Sequence, residues 1–391
     1  MKVLLLAYDL GLQGGVGTFN YELAIELSKQ GVEVVIVSRG DEALCTEVLD
    51  GLEICTFPSP STPPKDVMFY LINTSRIIDL AKKKRIDIIH DSSAAIGFLP
   101  YLDKIAPIIT TVHGSPMLNY LRVTYSTFND WLRCRLFEIS HRLPTKFLTL
   151  FHKPRVSKLV FVSKSCLADV LTHTLSKKRN NLLKKSTVIY NGLSIERITK
   201  IVKDIANTDS YNIIFVGRLM EYKGVDRLIK AFQYVIKEIR DAKLHIVGSG
   251  PELPKLISLS KKLGLEHNII FHGWLTRNNV LKLMASSRIL AHPSLYESFG
   301  YVIVEAYALG KPVIAHRAPY SKELVEKFNC GLIVNTFNSK TFANTIYDLL
   351  SDRNLYKKLS ENTQKIARTY FSIEKTAKNY IKIYEDVLSH P

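Results

Sequence analysis

Short apolar runs of four to six residues recur along the whole chain, and segments of helical length separate them. Runs of this kind are typical of parallel strands that are buried on both faces of a sheet. The first half has six such runs, at residues 2–7, 33–38, 86–90, 108–112, 159–163 and 187–190. The second half has six more, at residues 212–216, 243–247, 268–272, 288–292, 312–315 and 331–334. The pattern predicts an α/β protein with two doubly wound domains in tandem.

The stretch between the two sets of strands has no strand pattern and is expected to contain the domain boundary. We predict a first domain over residues 1–195 and a second over residues 196–372. Helical periodicity follows the last strand, at residues 341–350, 355–368 and 373–388. The length of 391 residues also favours two domains, since one hydrophobic core rarely serves more than about 300 residues.

The composition is that of a globular protein, with 46% hydrophobic and 23% charged residues. No apolar run approaches the roughly 20 residues of a membrane-spanning helix, and the N-terminal run is better explained as a first strand than as a signal peptide. The five cysteines lie apart and form no CxxC pair, so we expect neither a disulfide framework nor a zinc site. Such cysteines fit a reducing cytoplasm.

The formal net charge of +17 is concentrated in one part of the chain. Residues 120–185 hold fourteen Lys or Arg against three Asp or Glu, a net of +11. This excess indicates an anionic partner, such as a phosphate ligand, a nucleic acid or a membrane surface, although a solvated basic face would give the same count. Residues 117–158 interleave aromatic and basic side chains at helical spacing. That segment favours either an amphipathic helix at a membrane interface or an ordinary core-facing helix.

The loops that follow the strands are expected to carry the chemistry, because ligands of open α/β sheets bind beyond the carboxyl ends of the strands. After the first strand, Gly14 and Gly15 lie among four glycines, before a helix that should begin near Thr18. Glycines let a backbone approach a phosphate, and a helix N-terminus favours an anion. The same glycines would also suit an ordinary turn. Their spacing lacks the G-x-G-x-x-G pattern, which argues against a nicotinamide-dependent oxidoreductase.

Three later loops hold further candidates. His113 follows the strand at 108–112, where it is either catalytic or a structural histidine. Arg218 and Lys223 precede a helix expected to start near Val225, an arrangement that suits an anion. Gly250, in the sequence GSGP, marks another place of close backbone approach.

The stretch YESFGYVIVEAYALGKPVIA, residues 296–315, contains a helix expected to run from Phe299 to Gly310. The backbone N–H groups at its start would point toward an anion. Glu297 lies just before this helix, and Glu305 should lie about two turns inside it.

Glu305 stands among apolar residues, where an unpaired carboxylate costs several kcal/mol. A basic side chain such as Arg288 or Lys311 would satisfy it, since buried charges are usually paired. The hydroxyl pair of a ribose would do so equally well. The sequence leaves both explanations open.

A nucleoside diphosphate sugar accommodates these candidates together. Its diphosphate would meet helix N-termini, Arg218 and Lys223, while Glu305 would accept hydrogen bonds from the ribose and Glu297 from the transferred sugar. The chain contains no DxD triplet, so we expect no metal cofactor. Fixed cations would then stabilise the leaving diphosphate.

The stretches GRLMEYKGVDRLIKAF, VGSGP, FHGWL and HPSLYESFGYVIVEAYALGKPVIA resemble the retaining glycosyltransferases of the GT-B fold, family 4 type. The spacing of Glu297 and Glu305 matches the Glu-x7-Glu motif of that family. The resemblance implies two Rossmann-like domains that face a central cleft. It assigns the acceptor to the N-terminal domain and the nucleotide-sugar donor to the C-terminal one. It also implies that a last helix, within residues 373–391, crosses back to the N-terminal domain.

The resemblance also assigns roles to individual residues. The catalytic set comprises Glu297 and His113 at the transferred sugar, with Arg218 and Lys223 at the diphosphate. Further donor contacts are expected from the following residues: Gly14, Gly15, Gly250, Ser298, Phe299, Gly300 and, at the ribose, Glu305. Retention is expected to proceed by attack on the face from which the diphosphate leaves, without a protein base.

Two stretches depart from the family pattern. Ser194 stands where an aspartate is common, so no role is assigned to it. Residues 316–325 lack the glycine pair that is frequent before the downstream glutamate, which here is Glu323.

We therefore expect a cytoplasmic, metal-independent hexosyltransferase that is peripheral on the inner face of the membrane. Its partners would be a nucleoside diphosphate sugar, a lipid-linked or glycan acceptor and an anionic membrane surface. The alternatives are a soluble glycosyltransferase with a small-molecule acceptor and a catalytically silent nucleotide-sugar binding protein. No nucleic-acid binding motif is recognised, so nucleic acid is not an expected partner.

Overall fold

The computed structural model describes residues 1–11, 14–49, 51–60, 65–93, 101–114, 156–174, 176–205 and 211–390. The chain forms two compact units, one made of Met1–Gly192 with Ile373–Pro391 and the other of Leu193–Ser372. The helix expected within residues 117–158 lies outside the described residues, apart from positions 156–158. None of the helices in the described ranges combines the length and the apolar character needed to cross a membrane.

Unit 1 is built on one sheet with helices packed against it. Its strands are β1 (Lys2–Leu6), β2 (Glu33–Gly40), β3 (Leu44–Leu49), β4 (Leu52–Pro58), β5 (Ile88–Asp91), β6 (Ile108–Val112), β7 (Lys158–Phe161) and β8 (Ser186–Val188). They lie in the order β3-β4-β2-β1-β5-β6-β7-β8, parallel except for β3. Its helices are α1 (Gly15–Lys29), α2 (Lys65–Lys84), α3 (Lys164–Thr172), α4 (Ser176–Lys185) and, at the C-terminus, α12 (Ile373–Ser389). A short 3-10 turn spans Leu102–Lys104.

Unit 2 has a six-stranded parallel sheet in its described residues, with the order β11-β10-β9-β12-β13-β14. These strands are β9 (Asn212–Val216), β10 (Lys243–Val247), β11 (Ile269–Gly273), β12 (Ile289–His292), β13 (Val313–His316) and β14 (Gly331–Val334). Its helices are α5 (Ile195–Ile201), α6 (Val225–Glu238), α7 (Leu253–Lys262), α8 (Arg277–Ser286), α9 (Tyr301–Ala308), α10 (Ser339–Ser351) and α11 (Arg353–Tyr370). Short helical turns span Glu221–Lys223, Pro319–Ser321 and Lys322–Glu326.

The hairpin β3–β4 corrects two expectations about the first half of the chain. The sequence predicted six strands there, and the described part of the sheet has eight. The hairpin escaped prediction because β3 is exposed and therefore carries no buried apolar run. Cys45 and Cys55 are direct cross-strand partners in it and form a disulfide, so the prediction of unpaired cysteines was wrong for this pair. Cys166 and Cys330 are buried thiols.

The C-terminal helix α12 is joined to the sheet of unit 1 by a buried chain of hydrogen bonds. His90 on β5 contacts the Tyr384 hydroxyl through Nδ1 and the Thr111 hydroxyl through Nε2, both at 2.7 Å. Thr111 in turn contacts the Tyr380 hydroxyl at 2.8 Å. Both tyrosines belong to α12 and are fully buried. Burial also lowers the pKa of His90 to about 3, so this imidazole is neutral in the folded protein.

Each sheet has a topological switch point, at which the chain leaves two neighbouring strands toward opposite edges of the sheet. In unit 1 the neighbours are β1 and β5, and in unit 2 they are β9 and β12. The crevice at the carboxyl ends of such strands is the usual ligand site of an open α/β sheet. The loops that follow these four strands are therefore where ligand-binding side chains are expected.

Candidate functional site

In unit 2, the loops after β9 and β12 bring together Lys223 and Glu297, which are 74 residues apart in the sequence. The Lys223 ammonium forms an ion pair with Glu297 Oε1. His292, the last residue of β12, contacts the same oxygen through Nε2 at 2.9 Å. Since both contacts converge on Oε1, the carboxylate is held from one side.

The electrostatics of this group keep Glu297 ionised. Burial by itself would raise the pKa of the carboxyl, but the Lys223 charge and the His292 hydrogen bond outweigh it and lower the pKa to about 2. Oε2 has no hydrogen-bond partner among the described residues and is not fully buried. An ionised carboxylate with one fixed and one accessible oxygen is suited to accept hydrogen bonds from ligand hydroxyls.

Arg218 lies on the same loop as Lys223, two residues after β9. Its side chain is exposed, and it forms no ion pair with any residue in the described ranges. The loop is held by backbone bonds to the next strand end, where Leu219 N donates to Ser249 O at 2.9 Å. The two predicted cations are thus on one short loop at the switch point, and within the described ranges only Lys223 forms an ion pair.

The loop that contains Gly250 packs directly on the loop that carries Arg218. A Cβ atom at Gly250 would lie 2.3 Å from Leu219 O, so a side chain has no room there. This close approach between two protein segments explains the glycine without a ligand. A donor contact at Gly250 stays a prediction.

Helix α9 begins at Tyr301, two residues later than the sequence suggested. Gly300 adopts the left-handed conformation, with φ of 79°, and this turns the chain into the helix. Glu305 therefore lies about one turn inside α9 rather than two. The Phe299 side chain packs against Phe371 in the core, so only its backbone remains for the predicted anion contact. The backbone contacts predicted for Ser298 and Gly300 stay predictions.

Glu305 has a basic partner that the sequence analysis did not name. Arg277, the first residue of α8, donates from Nε to Glu305 Oε1 at 2.9 Å, and both side chains are about one-tenth exposed. Arg288 instead places its guanidinium 4.1 Å from the centre of the Tyr356 ring. Burial, together with the neighbouring Arg288, lowers the pKa of Lys311 to about 8. The pair with Arg277 explains a carboxylate in an apolar helix, and the ribose contact stays a prediction.

In unit 1, His113 is connected to α1 through Ser92, which follows β5. The Ser92 hydroxyl donates to Asn20 Oδ1 at 2.5 Å, and its oxygen contacts His113 Nε2 at 2.8 Å. Because Ser92 has given its only proton to Asn20, Nε2 must carry the hydrogen of the imidazole. Burial lowers the pKa of His113 to about 4. A neutral His113 then offers Nδ1 as a hydrogen-bond acceptor.

The glycine loop of unit 1 leads into α1 earlier than expected. The helix begins at Gly15 rather than near Thr18, with Gly14 as its N-cap and Thr18 N donating to Gly14 O at 2.9 Å. No heavy atom lies within 4 Å of where a Cβ of Gly14 would be, so this glycine faces open space. The helix N-terminus at Gly14 and Gly15 is consistent with a role in anion binding, which stays a prediction.

The sequence did not identify His292 and Arg277 as members of the site. Each is recognised only through the carboxylate that it contacts: Arg277 lies outside the quoted motifs, and His292 opens the stretch HPSLYESFGYVIVEAYALGKPVIA without a role assigned to it. His292 had one usable signal, its position at the carboxyl end of a strand next to the switch point.

Comparisons with known proteins agree over almost the whole chain. A family model described as "Glycosyltransferase Family 4" matches residues 13–197, and one described as "Glycosyl transferases group 1" matches residues 196–366. The chain is 25% identical over 398 residues to the N-acetyl-alpha-D-glucosaminyl L-malate synthase of Bacillus anthracis, covering 96% of this chain and 94% of that protein.

Two further proteins extend the comparison. An N-acetylgalactosaminyltransferase of Campylobacter jejuni, whose name gives a diphospho-undecaprenol-linked acceptor, is 30% identical over 244 residues. The match covers 61% of this chain and 63% of that protein. The crystal structure of Anabaena HepE with UDP and glucose superimposes with a TM-score of 0.70 at 20% identity, over 99% of this chain and 100% of HepE. This likeness confirms the predicted fold class.

Proposed function

Because the chain belongs to the family 4 glycosyltransferases of the GT-B fold, we propose that it is a retaining hexosyltransferase that uses a nucleoside diphosphate sugar. One observation carries the proposal. Glu297, at the switch point of unit 2, is held through Oε1 by Lys223 and His292 and keeps Oε2 accessible. A fixed, ionised carboxylate of this kind suits the hydroxyl groups of the transferred sugar.

The diphosphate is assigned to Arg218 and Lys223, together with the N-terminus of α9. The exposed guanidinium of Arg218 suits two phosphate oxygens at once, and Lys223 adds a second positive charge. Cations fixed before the reaction stabilise the charge that develops on the leaving diphosphate. In this proposal they take the place of a metal ion.

The transfer is proposed to retain the anomeric configuration through attack on the face from which the diphosphate departs. The departing phosphate oxygen takes the proton of the acceptor hydroxyl, so the protein supplies positioning and charge rather than a base. His113 is assigned to the transferred sugar, with Nδ1 as an acceptor, and Gly14 with Gly15 to the diphosphate.

A panel of nucleoside diphosphate sugars, read by thermal shift, tests the donor proposal. We expect one base and sugar to raise the melting temperature most, since a ligand at about 100 times its Kd stabilises by about 2.7 kcal/mol. If Glu305 contacts the ribose, the 2′-deoxy analogue of that donor should bind about tenfold to a hundredfold more weakly.

The same panel separates the alternatives. Stabilisation by NADH, with none by any nucleoside diphosphate sugar, would contradict the proposal and favour an oxidoreductase. Donor binding without hydrolysis or transfer, when a range of lipid-linked and small-molecule acceptors is supplied, would favour a silent binding protein.

We propose a lipid-linked or glycan acceptor at a membrane surface, bound by unit 1. The basic excess of residues 120–185 motivates this choice, and the Campylobacter relative provides a precedent for a lipid-linked acceptor. The Bacillus relative, whose product name contains malate, provides a precedent for the small-molecule alternative.

Vesicle sedimentation tests the membrane part of the proposal. The protein should pellet with vesicles that contain anionic phosphatidylglycerol at low salt and be released as salt rises, because charge attraction is screened. Neutral phosphatidylcholine vesicles are the matched control. Absence of binding to the anionic vesicles at low salt would exclude a peripheral membrane enzyme of the proposed kind.

A further inference from the structure

The loop 293–297, which ends with Glu297, is the first part of the connection from β12 to α9 and has no regular secondary structure. Pro293, Ser294 and Tyr296 are nonetheless buried. Inside the loop, the Ser294 hydroxyl donates to Tyr296 O at 2.8 Å. The backbone carbonyls of a buried loop need donors from elsewhere, and the side chains that supply them decide where the loop lies.

Arg227 of α6 supplies one of these donors. Arg227 is 8% exposed, and its guanidinium donates from Nη2 to Pro293 O at 2.7 Å and from Nε to the Thr336 hydroxyl at 3.0 Å. The Phe337 ring covers the same guanidinium at 4.7 Å. A buried cation with these contacts is held rigidly, and it ties the first residue of the loop to α6.

Tyr320 supplies the second donor from the segment after β13. It is 1% exposed, and its hydroxyl lies 2.8 Å from Ser294 O and 3.3 Å from His292 O. This tyrosine belongs to residues 316–325, the stretch that lacks the glycine pair frequent in family 4 glycosyltransferases.

His292 completes the set by contacting the carboxylate itself. Its ring stands edge-on to Tyr320, with 5.8 Å between the ring centres. Because Glu297 is ionised and only accepts, His292 Nε2 must carry the hydrogen of their 2.9 Å contact. His292 Nδ1 is buried and has no hydrogen-bond partner among the described residues. Burying a polar nitrogen without a hydrogen-bond partner costs free energy. The hydrogen bond from Nε2 to Glu297 Oε1 offsets part of that cost.

We propose that Arg227, Tyr320 and His292 are positioning residues that fix the loop 293–297 and aim Glu297 Oε2 at the transferred sugar. The inference rests on the proposed function, because it gives these three residues a role only if Glu297 contacts the sugar. They act through the loop and the carboxylate and do not touch the donor.

Tyr320→Phe tests the proposal with the smallest change, since it removes only the hydroxyl that holds the loop. We expect kcat to fall about tenfold to a hundredfold, as for a misplacement of about 1 Å, while the Kd of the free nucleoside diphosphate stays within twofold. The intact donor should bind the variant only about as tightly as the free nucleoside diphosphate does, because the contribution of the sugar to affinity is lost. Tyr307→Phe is the matched control, because Tyr307 is also fully buried in unit 2 and donates to Leu324 O at 2.9 Å.

A second pair of variants keeps the test independent of folding. His292→Leu removes the donor to Glu297, whereas His292→Gln keeps an N–H group near the position of Nε2. We expect the leucine variant to lose kcat about as Tyr320→Phe does and the glutamine variant to recover most of it. Melting temperatures of all variants are measured alongside.

The outcomes distinguish the positioning role of these residues from the proposed function of the protein. If the wild type binds donors but Tyr320→Phe and His292→Leu keep kcat and sugar-dependent affinity within twofold of the Tyr307→Phe control, the positioning role is wrong and the proposed function stands. If nucleoside diphosphate affinity falls as much as kcat, the residues are merely structural and the inference is overturned. If the wild type binds no donor at all, the proposed function fails and this inference fails with it.

Discussion

Replacing Lys223 with alanine is expected to lower kcat/KM for sugar transfer by about a thousandfold. Removal of one preorganised donor from developing negative charge typically costs a hundredfold to a thousandfold. Lys223 also holds Glu297 Oε1, so its loss frees the carboxylate as well. The two effects act on one transition state, which places the expected loss at the upper end of that range.

Initial rates with the donor from the thermal-shift panel measure this effect. The matched control is Lys230→Ala, because Lys230 lies exposed on α6, where it pairs with Asp226 at 3.1 Å. We expect that control to stay within twofold of the wild type, as exposed ion pairs contribute little. A Lys223→Ala enzyme with kcat/KM within threefold of the wild type would remove Lys223 from the catalytic set.

Lowering the pH is expected to destabilise unit 1 at pH values well above those at which most carboxylates titrate. His90 has a pKa of about 3 in the folded chain, against about 6.5 when unfolded. Below pH 6.5 the unfolded state therefore binds a proton that the folded state excludes, and the free energy of unfolding falls as pH falls. One such histidine removes about 1.4 kcal/mol per pH unit until the pH nears 3.

His113, with a pKa of about 4, adds to the loss in the same unit between pH 6.5 and 4. Urea unfolding at pH 7 and pH 5, followed by circular dichroism, measures the change. His90→Leu should be less stable at pH 7, because the Tyr384 hydroxyl loses its partner, but should show a shallower pH dependence. His390→Gln, at an exposed site near the C-terminus, is the control. Equal stability of the wild type at pH 7 and pH 5 would contradict this account of His90.

The second half of the chain was easier to predict than the first because four of its six strands, β9, β10, β12 and β13, are buried along most of their length. Each of its six strands lies within one residue of the predicted position. In the first half, the six predicted strands were found, but the hairpin was missed, because β3 is exposed and gave no apolar run and β4 is buried at only some of its positions. The disulfide depended on that hairpin, since Cys45 and Cys55 become neighbours only through the register of β3 with β4.

The residues of the candidate site also differ in whether the sequence predicted them. Arg218 and Lys223 were predicted from their position before a helix, because a loop and a helix start are local features. The partner of Glu305 was not, since Arg277 reaches it from another helix 28 residues away. The helix start was placed two residues early because the left-handed conformation of Gly300 delays it. Local chemistry is thus readable from the sequence, whereas contacts between elements depend on the packing of the fold.

The membership of α12 in unit 1 has a consequence for synthesis on the ribosome. Unit 1 contains both the first residues of the chain and the last, while unit 2 is one continuous segment. Residues 193–372 can all emerge and fold before α12 exists. Until then, His90 and Thr111 lack the tyrosine hydroxyls that complete their hydrogen bonds. The half of the protein that is translated first is therefore the half that is finished last.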